Sequence, residues 1–287
     1  MNLKRASEVG AVGHAVRRAM YRTLSLDRYL KTLSGMYLLG YRTGIGRSAA
    51  YEYPRFLKNL VSEGDTAIDI GANLGYYTYA LASLVGPQGR VRAVEPVEPI
   101  RRVLRHNLRR FRHVEVLACA LGDADRTIRM GNATVDRDGY FGTGQNFVLD
   151  KPAAGLALVE FEAEMRRGSE LFASLDRIDL IKCDIEGYEL VVMTEMRPLL
   201  ERHRPTVLIE TGGDNRPRIV ALFGSIGYDG YVLSENDIQT VYLSGNEQDV
   251  ITVTFGNEAK GSVLIKKIDA ITREPLSDVE FMVTESN

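Results

Sequence analysis

Cysteine is almost missing from this chain. Cys119 and Cys183 are its two copies, both inside apolar runs. Residues so placed behave as small buried hydrophobes, so no disulfide framework is expected and a reducing compartment is implied. Long apolar runs are missing too. None reaches the roughly 18 residues of a membrane span, and the N-terminus has no uninterrupted apolar stretch of signal-peptide type. The expected location is therefore cytoplasmic. Charge excess is missing overall: the formal net charge of −2 gives no global reason to expect a polyanionic partner. Histidine is scarce, and His14, His106, His113 and His203 fall away from the strand ends described below.

What is present is globular. Hydrophobic residues make up 45% and charged residues 26%, which excludes disorder, collagen and a membrane bundle. The charge is unevenly spread. Residues 1–50 carry nine Lys/Arg against Glu8 and Asp27, a net of 9 − 2 = +7. Residues 235–287 carry ten acids against four bases, a net of 4 − 10 = −6. The basic end reads either as a membrane-surface contact or as the solvated face of amphipathic helices.

From about Val16 to Leu60, apolar residues recur near a helical period, which predicts a helical collar at 1–60. Short apolar runs then alternate with amphipathic helices. Strands are expected at Thr66–Ile70, Arg90–Glu95, Val114–Ala120, Asp179–Asp184 and Thr206–Glu210. This pattern predicts an α/β fold, a Rossmann-like doubly wound parallel sheet, over 61–235. The long segment Gly122–Leu175 interrupts it and is expected to include a helix around Phe161–Phe172. After Leu233, alternating Val, Thr, Ser and Glu predict a β-rich tail over 236–287.

The densest constellation is Asp69-Ile70-Gly71-Ala72-Asn73-Leu74-Gly75, with Glu95-Pro96 closing the next strand. Gly71 and Gly75 allow close approach of backbone to a ligand, and Glu95 is placed to accept both hydroxyls of a ribose. Asp69 is placed to face the ammonium group of a methionine moiety. Asn73 replaces the second glycine of the dinucleotide fingerprint and crowds the pyrophosphate position. S-adenosylmethionine is therefore the expected cofactor. Ala72, Tyr77 and Leu121 (within Ala120-Leu121-Gly122) complete the expected cofactor-binding set.

At these residues the sequence resembles the FkbM family of methyltransferases. Asp69-Ile-Gly-Ala-Asn-Leu-Gly-Tyr-Tyr-Thr78 fits its first motif and Val94-Glu95-Pro96 its second. Ile181-Lys-Cys-Asp-Ile-Glu-Gly-Tyr-Glu189, followed by Arg204-Pro-Thr-Val-Leu-Ile-Glu210, fits its later signature. The likeness runs over roughly 29–233. It implies a sheet of the class I methyltransferase type and methylation of a hydroxyl on a sugar, glycolipid or natural product. The Thr-Leu-Asp-Asp stretch common in the family is here Ala173-Ser174-Leu175-Asp176, so substrate assignments resting on that stretch do not transfer. No Asn/Asp-Pro-Pro-Tyr pattern of the kind found in base-nitrogen methylases occurs, which sets nucleic acid aside as a partner.

Methyl transfer needs an aligned acceptor oxygen and a group to take its proton. Asp184 and Glu186 are the expected catalytic carboxylates, with Lys182 holding one of them ionised. Capping of the next helix by Glu186 and Gly187 is the plainer reading of the same residues. Asp184, Glu186 and Glu210 could alternatively hold Mg²⁺, but no metal is expected. The partner is expected to be a small-molecule or glycan acceptor, contacted in part by Gly142–Asn146. Residues 240–287 resemble pieces of SpaA-like (Cna protein B-type) repeats, without a complete Lys–Asn isopeptide pair: Lys267 and Asn257 belong to different repeats. A surface adhesin fragment and a nicotinamide oxidoreductase are the competing functional classes.

Overall fold

The computed structural model describes residues 10–44, 51–149, 157–211, 215–232 and 239–244. Helices α1 (Ala11–Thr23), α2 (Leu26–Thr43) and α3 (Glu52–Phe56) come first. Ser25 starts α2 by accepting from the Arg28 amide, and Gly44, at φ 72°, ends it.

The units that follow are β1 (Thr66–Ile70), α4 (Tyr76–Val85), β2 (Arg90–Val94), α5 (Glu98–Leu108) and β3 (Val114–Leu117). An insertion holds β4 (Ala120–Leu121), β5 (Arg126–Asn132), α6 (Thr134–Asp138), β6 (Phe147–Val148), β7 (Val159–Arg166) and α7 (Gly168–Leu171). The main pattern resumes with β8 (Leu180–Cys183), α8 (Glu189–Glu195), α9 (Arg197–His203) and β9 (Thr206–Thr211). It closes with α10 (Asn215–Ser225), β10 (Asp229–Val232) and β11 (Gln239–Ser244).

The main sheet has the order β10-β11-β9-β8-β1-β2-β3. Its β9-β8-β1-β2-β3 part is parallel, and β11 runs antiparallel to both its neighbours. The period of two along each strand divides two cores. Ala67, Val91, Leu180 and Leu208 face Ala80, Leu81 and Leu57 on one side. Ile68, Ile70, Ile181, Cys183, Val207 and Ile209 face Val192, Met193, Leu199 and Ile219 on the other. This is the doubly wound, Rossmann-like sheet of the class I methyltransferase type that the strand pattern predicts.

Three elements differ from the sequence reading. The helix expected around Phe161–Phe172 is strand β7 followed by the single turn α7. Val159, Phe161, Ala163 and Met165 alternate with Glu160, Glu162, Glu164 and Arg166. That period suits a strand covered on one face, and β7 pairs antiparallel with β5 in a second sheet, β4-β7-β5-β6. The expected third strand breaks after Leu117, and Ala120–Leu121 crosses into this second sheet. Finally, Gln239–Ser244, placed in the tail by its texture, lies inside the main sheet between β9 and β10. The remaining resemblance to SpaA-like repeats, 245–287, lies outside the described residues.

The second sheet carries the N-terminal helices. Tyr29 and Leu30 of α2 pack with Ile128, Met130, Tyr140, Phe141 and Met165, and the Tyr29 hydroxyl donates to the Phe141 carbonyl at 3.1 Å. Among the described residues, no helix is long and apolar enough to cross a membrane.

Candidate active site

Strand register builds the site. Ile70 pairs with Val94 and with Cys183, and Cys183 pairs with Ile209. The next residues, Gly71, Glu95, Asp184 and Glu210, therefore stand in one row at the carboxyl edge, the first three just past their strands and Glu210 one residue before the end of β9. This edge is where open α/β sheets bind ligands. One step inside, Asp69 pairs with Lys182.

The turn after β1 is tight. Gly71 has φ 77°, and a Cβ there would run into the Asp184 carbonyl oxygen. Gly75 has φ 91°, and its Cβ would stand 2.7 Å from Leu104 Cδ1, so glycine lets α4 close on α5. Asn73 takes a left-handed φ of 50°. Ala72 is buried in a cluster with Leu104 and Leu108.

All the amides from 71 to 75 are already bonded. Gly71 and Ala72 donate to the Val94 carbonyl at 3.1 and 2.9 Å, and Gly75 donates to the Ala72 carbonyl at 2.9 Å. The Asn73 amide donates to Glu95 Oε2 at 2.9 Å and the Leu74 amide to Asn73 Oδ1 at 2.8 Å. No donor in this turn is left for a phosphate, which is what a pyrophosphate-binding loop must supply.

Glu95 is 5% exposed. Its Oε1 accepts from the Val97 amide at 2.8 Å, so each carboxylate oxygen has one backbone donor and one further lone pair. Burial raises its pKa to about 7, against the lowering effect of those two amides, Arg101 and Lys182. Arg101 staples the same strand end, donating to the carbonyls of Glu95 and Pro96 at 3.0 and 2.6 Å.

Asp69 and Lys182 form a buried ion pair at 3.3 Å. Asp69 has no exposed surface, and its Oδ2 accepts from the Thr78 hydroxyl at 2.6 Å. Lys182 Nζ donates to the Gly71 carbonyl at 2.9 Å, stands 3.8 Å from Asp184 Oδ2, and lies 5.0 Å from the centre of the Tyr77 ring. Burial works against its charge, but Asp69 and Asp184 outweigh it and raise the pKa to about 12. Burial, and then Asp184, holds the Tyr77 hydroxyl well above its ordinary value.

Asp184 is partly exposed beside Glu210. Burial, followed by the hydrogen-bonded Asp184 carboxylate and then Glu186, pushes Glu210 well above the usual carboxylate range. Burial and the neighbouring Asp184 carboxylate thus both favour the protonated form of Glu210. Glu186 is exposed at φ 56°, with Gly187 at φ 102°. Capping of α8 falls to neither of them. The buried Glu189 accepts the Ile185 amide at 2.9 Å and the Gly187 amide at 3.0 Å, hanging the 184–188 loop on one carboxylate.

The Gly142–Asn146 loop reaches this place from the insertion. Buried Asn132 pins it, donating to the Gly142 carbonyl at 2.8 Å and Asn146 Oδ1 at 2.9 Å. A Cβ on Gly144 would stand 3.8 Å from Asn73 Nδ2 and 3.9 Å from Glu186 Oε1, so the loop bridges both halves of the site. Leu121 lies in the core with Val94 and Cys119, and Gly122 abuts Met165.

The sequence reading gave no role to Glu189 and considered Glu210 only as a metal ligand. The signal for Glu189 was an acid in the first turn of a helix after a glycine; that for Glu210 was its place at a strand tip. Among the described residues, no three His, Cys, Asp or Glu are grouped so as to hold a metal ion.

The family described as Methyltransferase FkbM domain matches residues 69–228, more than half of the chain. That described as Protein-L-isoaspartate(D-aspartate) O-methyltransferase matches residues 7–130. The AMB antimetabolite synthetase AmbE of Pseudomonas aeruginosa is 31% identical over 157 residues, 44% of this chain and 7% of that protein. The protein-L-isoaspartate O-methyltransferase of Aeropyrum pernix is 36% identical over 63 residues, 22% of this chain and 24% of that protein. The chain thus spans under a quarter of the length of either relative. Among solved structures, a methyltransferase FkbM from Methylobacillus flagellatus is 18% identical with a TM-score of 0.45, covering 64% of this chain and 44% of that one. Fibrillarin of Aeropyrum pernix, solved with natively bound S-adenosyl-L-methionine, is 17% identical with a TM-score of 0.43, covering 68% and 75%. By the match over residues 69–228, the chain belongs to the FkbM family of S-adenosylmethionine-dependent methyltransferases.

Proposed function

We propose that this protein methylates a hydroxyl of a small-molecule acceptor, a sugar or natural product, with the cofactor held along the 71–75 turn and Glu95. One observation carries the reading: a turn whose amides are all spent lies in one row with a ribose-ready carboxylate and the adjacent carboxyls Asp184 and Glu210. That donor set suits a phosphate-free nucleoside. Glu95 keeps a lone pair on each oxygen for the two ribose hydroxyls, and Leu121 borders the adenine end. Asp69 acts on the methionine end from beneath, by fixing Lys182 and Thr78.

When bound, S-adenosylmethionine supplies a sulfonium methyl: its S–CH₃ bond breaks as the O–CH₃ bond forms, and a neutral thioether is left. The Asp184–Glu210 pair takes the acceptor proton, with Lys182 below it limiting the charge that builds there. Glu186 orients the acceptor from the loop above. Glu189 keeps both carboxylates in place.

Binding is tested by calorimetric titration of the full chain with S-adenosylmethionine, with Asp69→Ala as the control. A 1:1 heat is expected, and no heat from the wild type would end the proposal. Similarity to the isoaspartate family over 7–130 favours a second reading, methylation of a carboxyl. Labelled methyl transferred into a cell extract separates the two. An ether survives mild alkali, whereas an ester releases volatile labelled methanol.

A further inference from the structure

Apolar exposure and positive charge coincide on the two N-terminal helices. Of the five large hydrophobic side chains exposed among the described residues, four lie there: Val12 (79%) and Val16 (47%) on α1, Met36 (60%) and Leu39 (63%) on α2. Residues 10–44 also hold six Lys/Arg against one acid, Asp27, a net of 6 − 1 = +5 in a chain whose formal total is −2. Asp27 is itself paired with Lys31 at 2.8 Å. Exposed apolar side chains scattered singly need no explanation, but a concentration of them in one charged region marks an interaction surface.

On α2 the pattern is a single stripe. Arg28, Thr32, Gly35, Met36, Leu39 and Arg42 are all exposed, and their steps of three and four place them on one side of the helix. The other side holds α2 to the protein through the buried Tyr29, Leu30, Ser34 and Leu38. The stripe is therefore not needed for packing, and even a Cβ added at Gly35 would meet nothing within 4 Å. The helices on either flank have the same character. Tyr21 of α1 packs edge-on against Tyr29 at 5.4 Å, and α1 adds exposed Arg18 and Arg22 to its two valines. The Ser34 hydroxyl donates to Asn107 Oδ1 on α5 at 3.5 Å, and α5 adds exposed Arg105 and His106.

The chemistry of the stripe selects its partner. A nucleic acid would use the arginines but leave Met36 and Leu39 in water. A second copy of this face would set one cationic surface against another. A bilayer with anionic headgroups takes both kinds of side chain: the apolar ones enter the interface and the arginines meet the lipid phosphates and carboxylates. Because no helix among the described residues is long and apolar enough to cross a membrane, the contact is peripheral. We propose that the solvent face of α2, flanked by α1, is a docking surface for an anionic membrane. This stands independently of the methyltransferase reading.

The test is co-sedimentation of the full chain with phosphatidylcholine vesicles, with and without about 30% phosphatidylserine. The chain should bind the anionic vesicles only, and raising the salt from about 0.1 to 0.5 M should release it. Arg28→Gln with Arg42→Gln should weaken binding about 25-fold, roughly fivefold for each cation near the surface. Met36→Asn with Leu39→Asn should weaken it about tenfold and leave the salt dependence unchanged. All four positions are exposed, so each double variant should melt within about 2 °C of wild type. No binding to anionic vesicles, equal binding to neutral ones, or affinity untouched by both double variants overturns the inference. So does a dimer that the Met36→Asn, Leu39→Asn variant dissolves, which would give the face to a second copy. Vesicle binding seen only in a chain ending at Asn246 would likewise overturn it, and give the face to the acid-rich segment that follows.

Discussion

At the scale of single residues, the chemistry rests on carboxyl groups whose surroundings differ. Glu95 is buried, and burial lifts it to about 7. Because the folded chain holds this proton more tightly than the unfolded one, the contribution of Glu95 to stability falls as pH rises from about 4.5 to 7. Ribose hydroxyls donate to the ionised form, so cofactor affinity runs the other way. It should rise by up to about tenfold per pH unit through that window and level off above 7. Calorimetry of S-adenosylhomocysteine binding at pH 6, in buffers of different ionisation enthalpy, should report release of nearly one proton. At pH 8.5 it should report almost none. Glu95→Gln removes the pH dependence and costs about 1.5–3 kcal/mol of affinity, the worth of hydrogen bonds to a charged group. A flat profile in the wild type would show that the ligand does not meet Glu95. Glu189 tests the opposite kind of role. Its carboxylate holds the Ile185 and Gly187 amides and touches no substrate in the proposed arrangement. Glu189→Ala leaves two part-buried amides without an acceptor, at a cost of about 1 kcal/mol. It should lower kcat about tenfold while leaving cofactor affinity within about threefold, and Glu189→Gln should restore part of kcat. Loss of cofactor affinity in step with kcat would show a general collapse of the edge.

At the scale of elements, the parts legible in the sequence are those in which one physical signal dominates. Thr66–Ile70 is buried along its whole length and reads as an apolar run, and the glycine turn after it announces its own backbone. Tyr76–Val85 and Glu98–Leu108 carry clear helical faces. Misreading occurred where a second sheet exists. Val159–Arg166 has a period of two, but its four charged positions also suit a solvated helix, and only a partner strand such as Arg126–Asn132 decides between them. Glu210 was visible as a strand-end acid, but its place beside Asp184 depends on the pairing of β8 with β9, which no local pattern encodes. The insertion also shows what its loop does. Gly144 is exposed and not left-handed, so a side chain there does not strain the fold. Gly144→Val instead fills the gap between Asn73 and Glu186. The expected result is a rise of about tenfold in the acceptor KM, or roughly 1.4 kcal/mol, with the melting temperature within about 2 °C of wild type. An unchanged KM would remove the loop from the acceptor path.

At the scale of the whole molecule, both ends of the described chain fold back on the sheet that carries the site. The N-terminal helices reach it through the second sheet and the stacking of Tyr37 on Tyr76. The C-terminal part reaches it through Gln239–Ser244, whose alternating texture led the sequence reading to assign it to an appended tail. Polar alternation is what an antiparallel strand shows wherever it lies, so composition could not distinguish a strand of the catalytic sheet from one of a separate module. Register does distinguish them: Gln239 to Leu243 pair with Thr211 back to Val207, directly behind Glu210. Removing that strand exposes the β9 ladder, takes β10 from the sheet, and loosens the tip on which Glu210 stands. A chain ending at Ser234 should therefore melt at least about 5 °C below one ending at Asn246, and should lose transfer activity that the longer chain keeps. Because the two truncations differ only by residues 235–246, whatever follows contributes equally to neither, and the comparison isolates the strand. Equal melting temperatures for the two would mean that the catalytic sheet closes at β9.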